Sequence, residues 1–257
     1  MKTILLSAAL LAGAASAHAA IQSKTIEYQQ GGATLQGVLV WDDAVSGPRP
    51  GVLVVHDWMG LEGYAKMRAD MLAKLGYVAF AADIYGKGAR PANRQEASAQ
   101  AGKYKGDREL LRARVNAALG VLEKQPQCDT KRVAAIGYCF GGTTVLELAR
   151  SGADIAGIVT FHGGLDTPTR DAKNIKCKVL ICHGADDPYV PATDVAALQD
   201  ELRKAGVDWQ MIFYSGAVHS FTRPDSGNDN SKGAAYNEKA DKRSWEAMKD
   251  FFGEIFK

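Results

Sequence analysis

Four cysteines in 257 residues, with no C-x-x-C pair and no metal-type Cys/His spacing, offer neither a zinc site nor an obvious disulfide framework. A chain of this length can bury a core without such staples. One-signed charge is missing too. Lys and Arg number 31 against 29 Asp and Glu, interspersed, and a net charge of +2 gives no footing for a nucleic-acid or strongly acidic partner. No internal repeat, low-complexity tract or interdomain linker breaks the sequence. Beyond the first twenty residues, no apolar run is long enough for a transmembrane helix. A composition 46% hydrophobic and 23% charged then suits one globular α/β domain.

Residues 1–19 read differently. A single Lys2 precedes an apolar stretch from Ile4 to about Ala15, followed by small residues of the A-x-A type. This predicts a signal peptide cleaved near Ala17 or Ala19, an exported protein in the periplasm or outside the cell, and a single domain over 20–257. Export exposes the cysteines to an oxidising compartment. Cys177 and Cys182 are five apart on one expected strand, so they face opposite ways and cannot pair. A bridge between Cys128 and Cys177 stays open, since both precede strands.

Strand-like and helix-like runs alternate along the rest. "KTIEYQ" and "ATLQGVLVW", joined by "QQGGA", predict an antiparallel hairpin at one sheet edge. "GVLVVHD", "YVAFAAD", "RVAAIGY", "IAGIVTFHG", "KVLICHG" and "WQMIFYS" are nearly continuous apolar runs, as parallel strands covered on both faces require. Helical stripes fall between them: Met67, Met71, Leu72 and Leu75; Leu111, Val115, Ala118, Leu119 and Leu122; Trp245, Met248, Phe252 and Ile255. These are core faces by their spacing. Together the runs predict a mostly parallel, doubly wound, eight-stranded sheet with helices on both faces.

In such a sheet, working residues gather beyond the carboxyl ends of the strands. Cys139 lies there, in "RVAAIGYCFGG". A nucleophile on a strand-to-helix turn is forced into a strained conformation, and flanking glycines relieve the crowding. The helix that follows, near Gly141, turns its free N–H groups toward the sulfur and favours the thiolate. The plainer alternative is a buried structural cysteine beside a Gly-Gly packing site. Partners decide between them, because a thiol needs a base and the base an orienting acid. His18 leaves with the leader, and His56, His162 and His183 each end a strand. His219 follows the last strand, and Asp187 follows the one before. The order Cys139, Asp187, His219 is nucleophile, acid, histidine, and only His219 comes after the acid. Asp187 is preferred to Asp186 because it immediately precedes the turn Pro188-Tyr189-Val190; Asp166 is a weaker candidate. The oxyanion-hole amides expected from this geometry are those of Phe140 and Trp58.

"HDWMG", "AADIYG", "IGYCFGG", "HGADDPYVPA" and "GAVHSFTRP", in that order, resemble the dienelactone hydrolase family of the α/β-hydrolase superfamily. The likeness covers essentially the whole mature chain. It implies an α/β-hydrolase fold and a Cys-His-Asp triad carried by Cys139, His219 and Asp187. The implied reaction is hydrolysis of a small lactone or ester, possible anions included, with neither cofactor nor metal. The partner implied is a small molecule, without nucleic acid or membrane, acted on by a monomer. Asp57 matches an acidic residue that touches the resting thiol in the family, one methylene shorter than the usual glutamate. Arg223 matches one arginine of a substrate-carboxylate clamp. The other falls near Lys87, where a point charge replaces a planar fork, with Arg90 close by; both are otherwise solvated loop charges. Rival readings are a carboxylesterase for neutral short-chain esters, or a non-catalytic or redox-sensing member of the fold.

Overall fold

A Gly31-Gly32 turn, both residues at positive φ, folds the first two strands onto each other: β1 (Ile21–Gln30) pairs antiparallel with β2 (Ala33–Asp42). This hairpin opens the described part of the chain, residues 20–257 of a computed structural model. The expected leader lies outside the described residues. The remaining strands are β3 (Arg49–Val55), β4 (Val78–Ala82), β5 (Cys128–Tyr138), β6 (Gly157–Phe161), β7 (Lys178–Gly184) and β8 (Trp209–Tyr214). They form one eight-stranded sheet in the order β1-β2-β4-β3-β5-β6-β7-β8, parallel from β4 to β8. The antiparallel edge and parallel body are those expected from the strand patterns.

Period-two alternation feeds two cores. Leu53, Val55, Ala135, Ile158 and Ile181 face one way, against α2 (Arg94–Gly106), α3 (Arg108–Glu123), α4 (Phe140–Arg150) and α5 (Ala192–Ala205). Val52, Val54, Ile136, Val159 and Leu180 face the other, against α1 (Gly63–Lys74) and α6 (Glu238–Ile255). The α3 stripe is buried as its spacing predicts, and Met248 and Phe252 of α6 are fully enclosed.

Two expectations need correction. The α1 face is not the methionine stripe: Met67 and Leu75 are 39% and 45% exposed. Leu72 of the expected stripe is buried, and Ala65, Ala69 and Ala73 turn inward beside it, because small side chains let the helix lie close against β2 and β4. Arg68 is buried with them, its charge answered by Asp241 at 2.6 Å and by the Thr222 carbonyl at 2.9 Å. Nor do Cys128 and Cys177 pair, since all four cysteines are free. β6 runs between β5 and β7, so these strands are about 9.5 Å apart, beyond the roughly 7 Å that a disulfide can span.

Candidate active site

β5 ends at a corner that only glycine could build. A Cβ on Gly137 would sit 2.0 Å from the Gly141 carbonyl oxygen, and one on Gly141 would sit 2.3 Å from that of Val55. The chain therefore passes from β5 into α4 almost in contact with β3. Cys139 occupies the corner at φ +54°, a conformation that side chains other than glycine resist. Its N–H donates to the Phe161 carbonyl at 3.0 Å, and its own carbonyl accepts the Gly142 N–H at 3.0 Å. Both bonds hold the strained turn in place.

The loops after β7 and β8 bring the two other expected groups to the sulfur. His219 Nε2 lies 3.1 Å from Cys139 Sγ, and Asp187 Oδ2 lies 2.8 Å from His219 Nδ1. Asp187 is itself fixed by the Tyr189 N–H, which donates to Oδ1 at 2.9 Å. Asp166, the weaker acid candidate, instead pairs with Lys105 and Arg108. The segment after β8 returns over the histidine, with the Ala235 N–H donating to the His219 carbonyl at 3.0 Å. Burial disfavours the His219 cation, but the adjoining Cys139 sulfur and the Asp187 hydrogen bond outweigh it and push its pKa up to about 10.

The other histidines do different work. His56 is buried with both ring nitrogens occupied: Nε2 accepts the Ile84 N–H at 3.2 Å, and Nδ1 donates to the Asp57 carbonyl. His162, at φ +41°, bonds Thr222 Oγ1 at 2.7 Å and packs its ring 5.3 Å from that of His219. His183 lies against Phe213 at the far side of the Asp187 loop. Burial holds the pKa of all three below the ordinary histidine value.

A cavity of about 280 Å³ opens above the sulfur, lined by Trp58, Arg94, Cys139, Tyr189, His219, Ser220 and Ala234. As the first residue of α4, Phe140 has no intrahelical acceptor for its N–H. In the loop after β3, Asp57 takes the Met59 and Gly60 N–H groups on its side chain and carbonyl, leaving Trp58 N–H outside that turn. These are the two amides expected for an oxyanion.

The expected substrate contacts depart from this picture. Lys87 turns back to β1, where it pairs with Glu27 at 2.7 Å, half-exposed and off the cavity lining. Arg90 bonds the Ala89 carbonyl at 2.8 Å and faces the buried Asp83. Asp57 reaches Arg223 instead of the sulfur, and Arg223 also holds Asp225 through its Nε at 2.9 Å. A carboxylate one methylene shorter than glutamate meets the nearer guanidinium first. The residue missed from the sequence is Arg94. It opens α2, whose "RQEASAQAGKYKG" carries no apolar stripe and buries only Ala97 and Tyr104, so no periodicity marks the helix.

Among the described residues, no group of three or more His, Cys, Asp or Glu side chains is arranged to hold a metal ion. No helix among them is long and apolar enough to cross a membrane.

Comparison with known proteins agrees with this architecture. The solved structure called m3DLH is 44% identical, covers 92% of this chain and 99% of its own, and superposes with a TM-score of 0.88. A dienelactone hydrolase-like promiscuous phosphotriesterase from metagenomic libraries is 46% identical, covers 93% and 100%, and has the same TM-score of 0.88. A Bradyrhizobium sp protein named "Probable 2-oxo-3-(5-oxofuran-2-ylidene)propanoate lactonase" is 29% identical over 188 residues, 69% of this chain and 75% of its own. The sequence model of the dienelactone hydrolase family matches residues 35–256. With that match spanning nearly all of the described sheet and helices, the chain belongs to the dienelactone hydrolase family.

Proposed function

We propose that this chain hydrolyses small lactones and activated carboxylic esters through a covalent intermediate on Cys139. The observation that carries the reading is the continuous contact from Cys139 Sγ through His219 to Asp187, at the floor of an open cavity. The Cys139 thiolate attacks the carbonyl carbon, and the resulting oxyanion is received by the Phe140 and Trp58 amides. Collapse expels the alkoxide or enolate, which takes the His219 proton. Neutral His219 then removes a proton from water as it attacks the thioester, releasing the acid and restoring thiolate and imidazolium. Sulfur leaves more readily than an alkoxide or amide nitrogen, so good leaving groups such as enols and phenols suit this nucleophile and amides do not.

Cys139→Ala should lower turnover of p-nitrophenyl acetate at least about 1,000-fold, on the scale of lost nucleophiles elsewhere, with an unchanged melting temperature. Turnover at the parent rate would remove the assignment. The 46% identical neighbour named a promiscuous phosphotriesterase supports phosphotriesters as a second substrate class to assay with the same variant. We also propose export, supported by the leader pattern. The N-terminus of the processed protein should then begin at His18 or Ala20, and an intact Met1 in the exported fraction would exclude it.

A further inference from the structure

Basic side chains on the loops after β4 and β8 are almost all engaged by acids of the same chain. Lys87 is held by Glu27 at 2.7 Å, Arg90 faces Asp83 at 3.7 Å, and Arg223 lies between Asp57 and Asp225. A cation so paired has little attraction left for a ligand, and freeing it exposes a carboxylate that repels an incoming anion. Asp57 is only 4% exposed, so freeing Arg223 would strand a buried carboxylate.

Arg94 is the exception. It is exposed, lines the cavity with Cys139 and His219, and among the described residues makes no ion pair or side-chain hydrogen bond. Its acidic neighbour Glu96 is occupied elsewhere: Oε2 accepts the Ala92 N–H at 2.9 Å and Oε1 accepts the Asn93 amide at 2.8 Å. The helix start thus consumes the acidic side chain nearest to Arg94 in sequence. The rest of the lining apart from the reacting groups is Trp58, Tyr189, Ser220 and Ala234, which offers no second side-chain charge. A space of about 280 Å³ is close to nine waters of liquid volume, so a substrate filling it would extend from the sulfur to the guanidinium.

Resting on the hydrolase reading above, we infer that Arg94 is the specificity-determining cation of this site, receiving a carboxylate that the substrate carries several bonds from the carbonyl attacked by Cys139. Selection for charge then lies at the start of α2. The guanidinium offers a planar fork for two parallel hydrogen bonds to the carboxylate, which lysine cannot reproduce.

Two matched ester pairs test this in wild type and Arg94→Gln. One is 4-carboxyphenyl acetate with its methyl ester, bearing the charge on the leaving group. The other is p-nitrophenyl hydrogen adipate with p-nitrophenyl hexanoate, bearing it on the acyl group. In at least one pair, Arg94→Gln should lower kcat/KM about fivefold more for the anionic member than for the neutral one, and that gap should shrink with added salt. Arg94→Lys should recover only part of it. Equal losses within both pairs would overturn the inference.

A second readout does not depend on ester turnover. The ratio of Cys139 alkylation rates with 4-(iodoacetamido)butanoate and 4-(iodoacetamido)butanamide, which differ only in a charge several bonds from the alkylated carbon, located by mass spectrometry, should fall about fivefold in Arg94→Gln. An unchanged ratio overturns the inference even if esters are cleaved. A lowered ratio with no ester cleaved leaves the anion subsite standing and removes the hydrolase reading.

Discussion

Cys139, His162 and Ser220 are the non-glycine residues at positive φ among those described, and two of them line the reaction cavity while the third packs on its histidine. Each such residue costs on the order of 1–3 kcal/mol, so surrounding contacts must hold it. Gly137 supplies one of those contacts by permitting the approach of Gly141. Gly137→Ala should therefore lower stability by about 3 kcal/mol, near the top of the range for overpacking, read as a shift in urea midpoint. The clash is with backbone, so no side-chain rotation relieves it. At Asp187 the expected effect is on rate. Asp187→Asn keeps the shape but no longer favours the tautomer with hydrogen on Nδ1, and turnover should fall about 10,000-fold. It should also lower the His219 pKa from about 10, measurable as a shift in the pH dependence of Cys139 alkylation. An alkylation profile identical to wild type would deny Asp187 its orienting role.

Between elements, buried charge ties the helices that flank the nucleophile's own helix. Arg150 near the end of α4 is fully enclosed and bonds Glu147 at 3.0 Å and Glu201 of α5 at 2.7 Å. Arg112 of α3 reaches the same Glu147 at 2.8 Å. Glu201→Gln leaves the enclosed Arg150 to share Glu147 with Arg112, so it should cost about 3 kcal/mol, the low end for breaking a buried pair, measured by denaturant unfolding. Of this network nothing was visible in the sequence, where no motif or spacing singles out Arg112, Glu147, Arg150 or Glu201. Strands were legible because apolar runs such as "GVLVV" and "RVAAIG" have no other use in a chain of this composition. The α1 face was misread because alanines carry little hydrophobic signal and Arg68 disguises a buried position. Cys139, Asp187 and His219 could be singled out because each follows a separate strand in a fixed order. The pairing of Lys87 with Glu27 and of Arg223 with Asp57 could not, since these acids are distant in sequence and only folding brings them near.

For the whole molecule, histidine burial sets the response to pH. His56, His162 and His183 have folded pKa values below the unfolded value near 6.5. Their contribution is complete above pH 6.5 and is lost as pH falls below it, when the unfolded chain takes up protons that the folded one refuses. Each contributes up to about 1.4 kcal/mol per pH unit. His219 acts oppositely: raised to about 10, it contributes fully below pH 6.5 and loses that contribution as pH climbs toward 10. Stability should peak between these limbs, and urea midpoints that stay flat from pH 7 to 5 would contradict the acid limb. The sulfurs have a consequence at this scale too. Cys128, Cys177 and Cys182 are each no more than 7% exposed, while Cys139 reaches the cavity. A folded preparation should therefore consume one equivalent of a chromogenic disulfide, and four once urea is added. The ratio of the two readings counts intact molecules in any sample, making the protein its own stoichiometric standard.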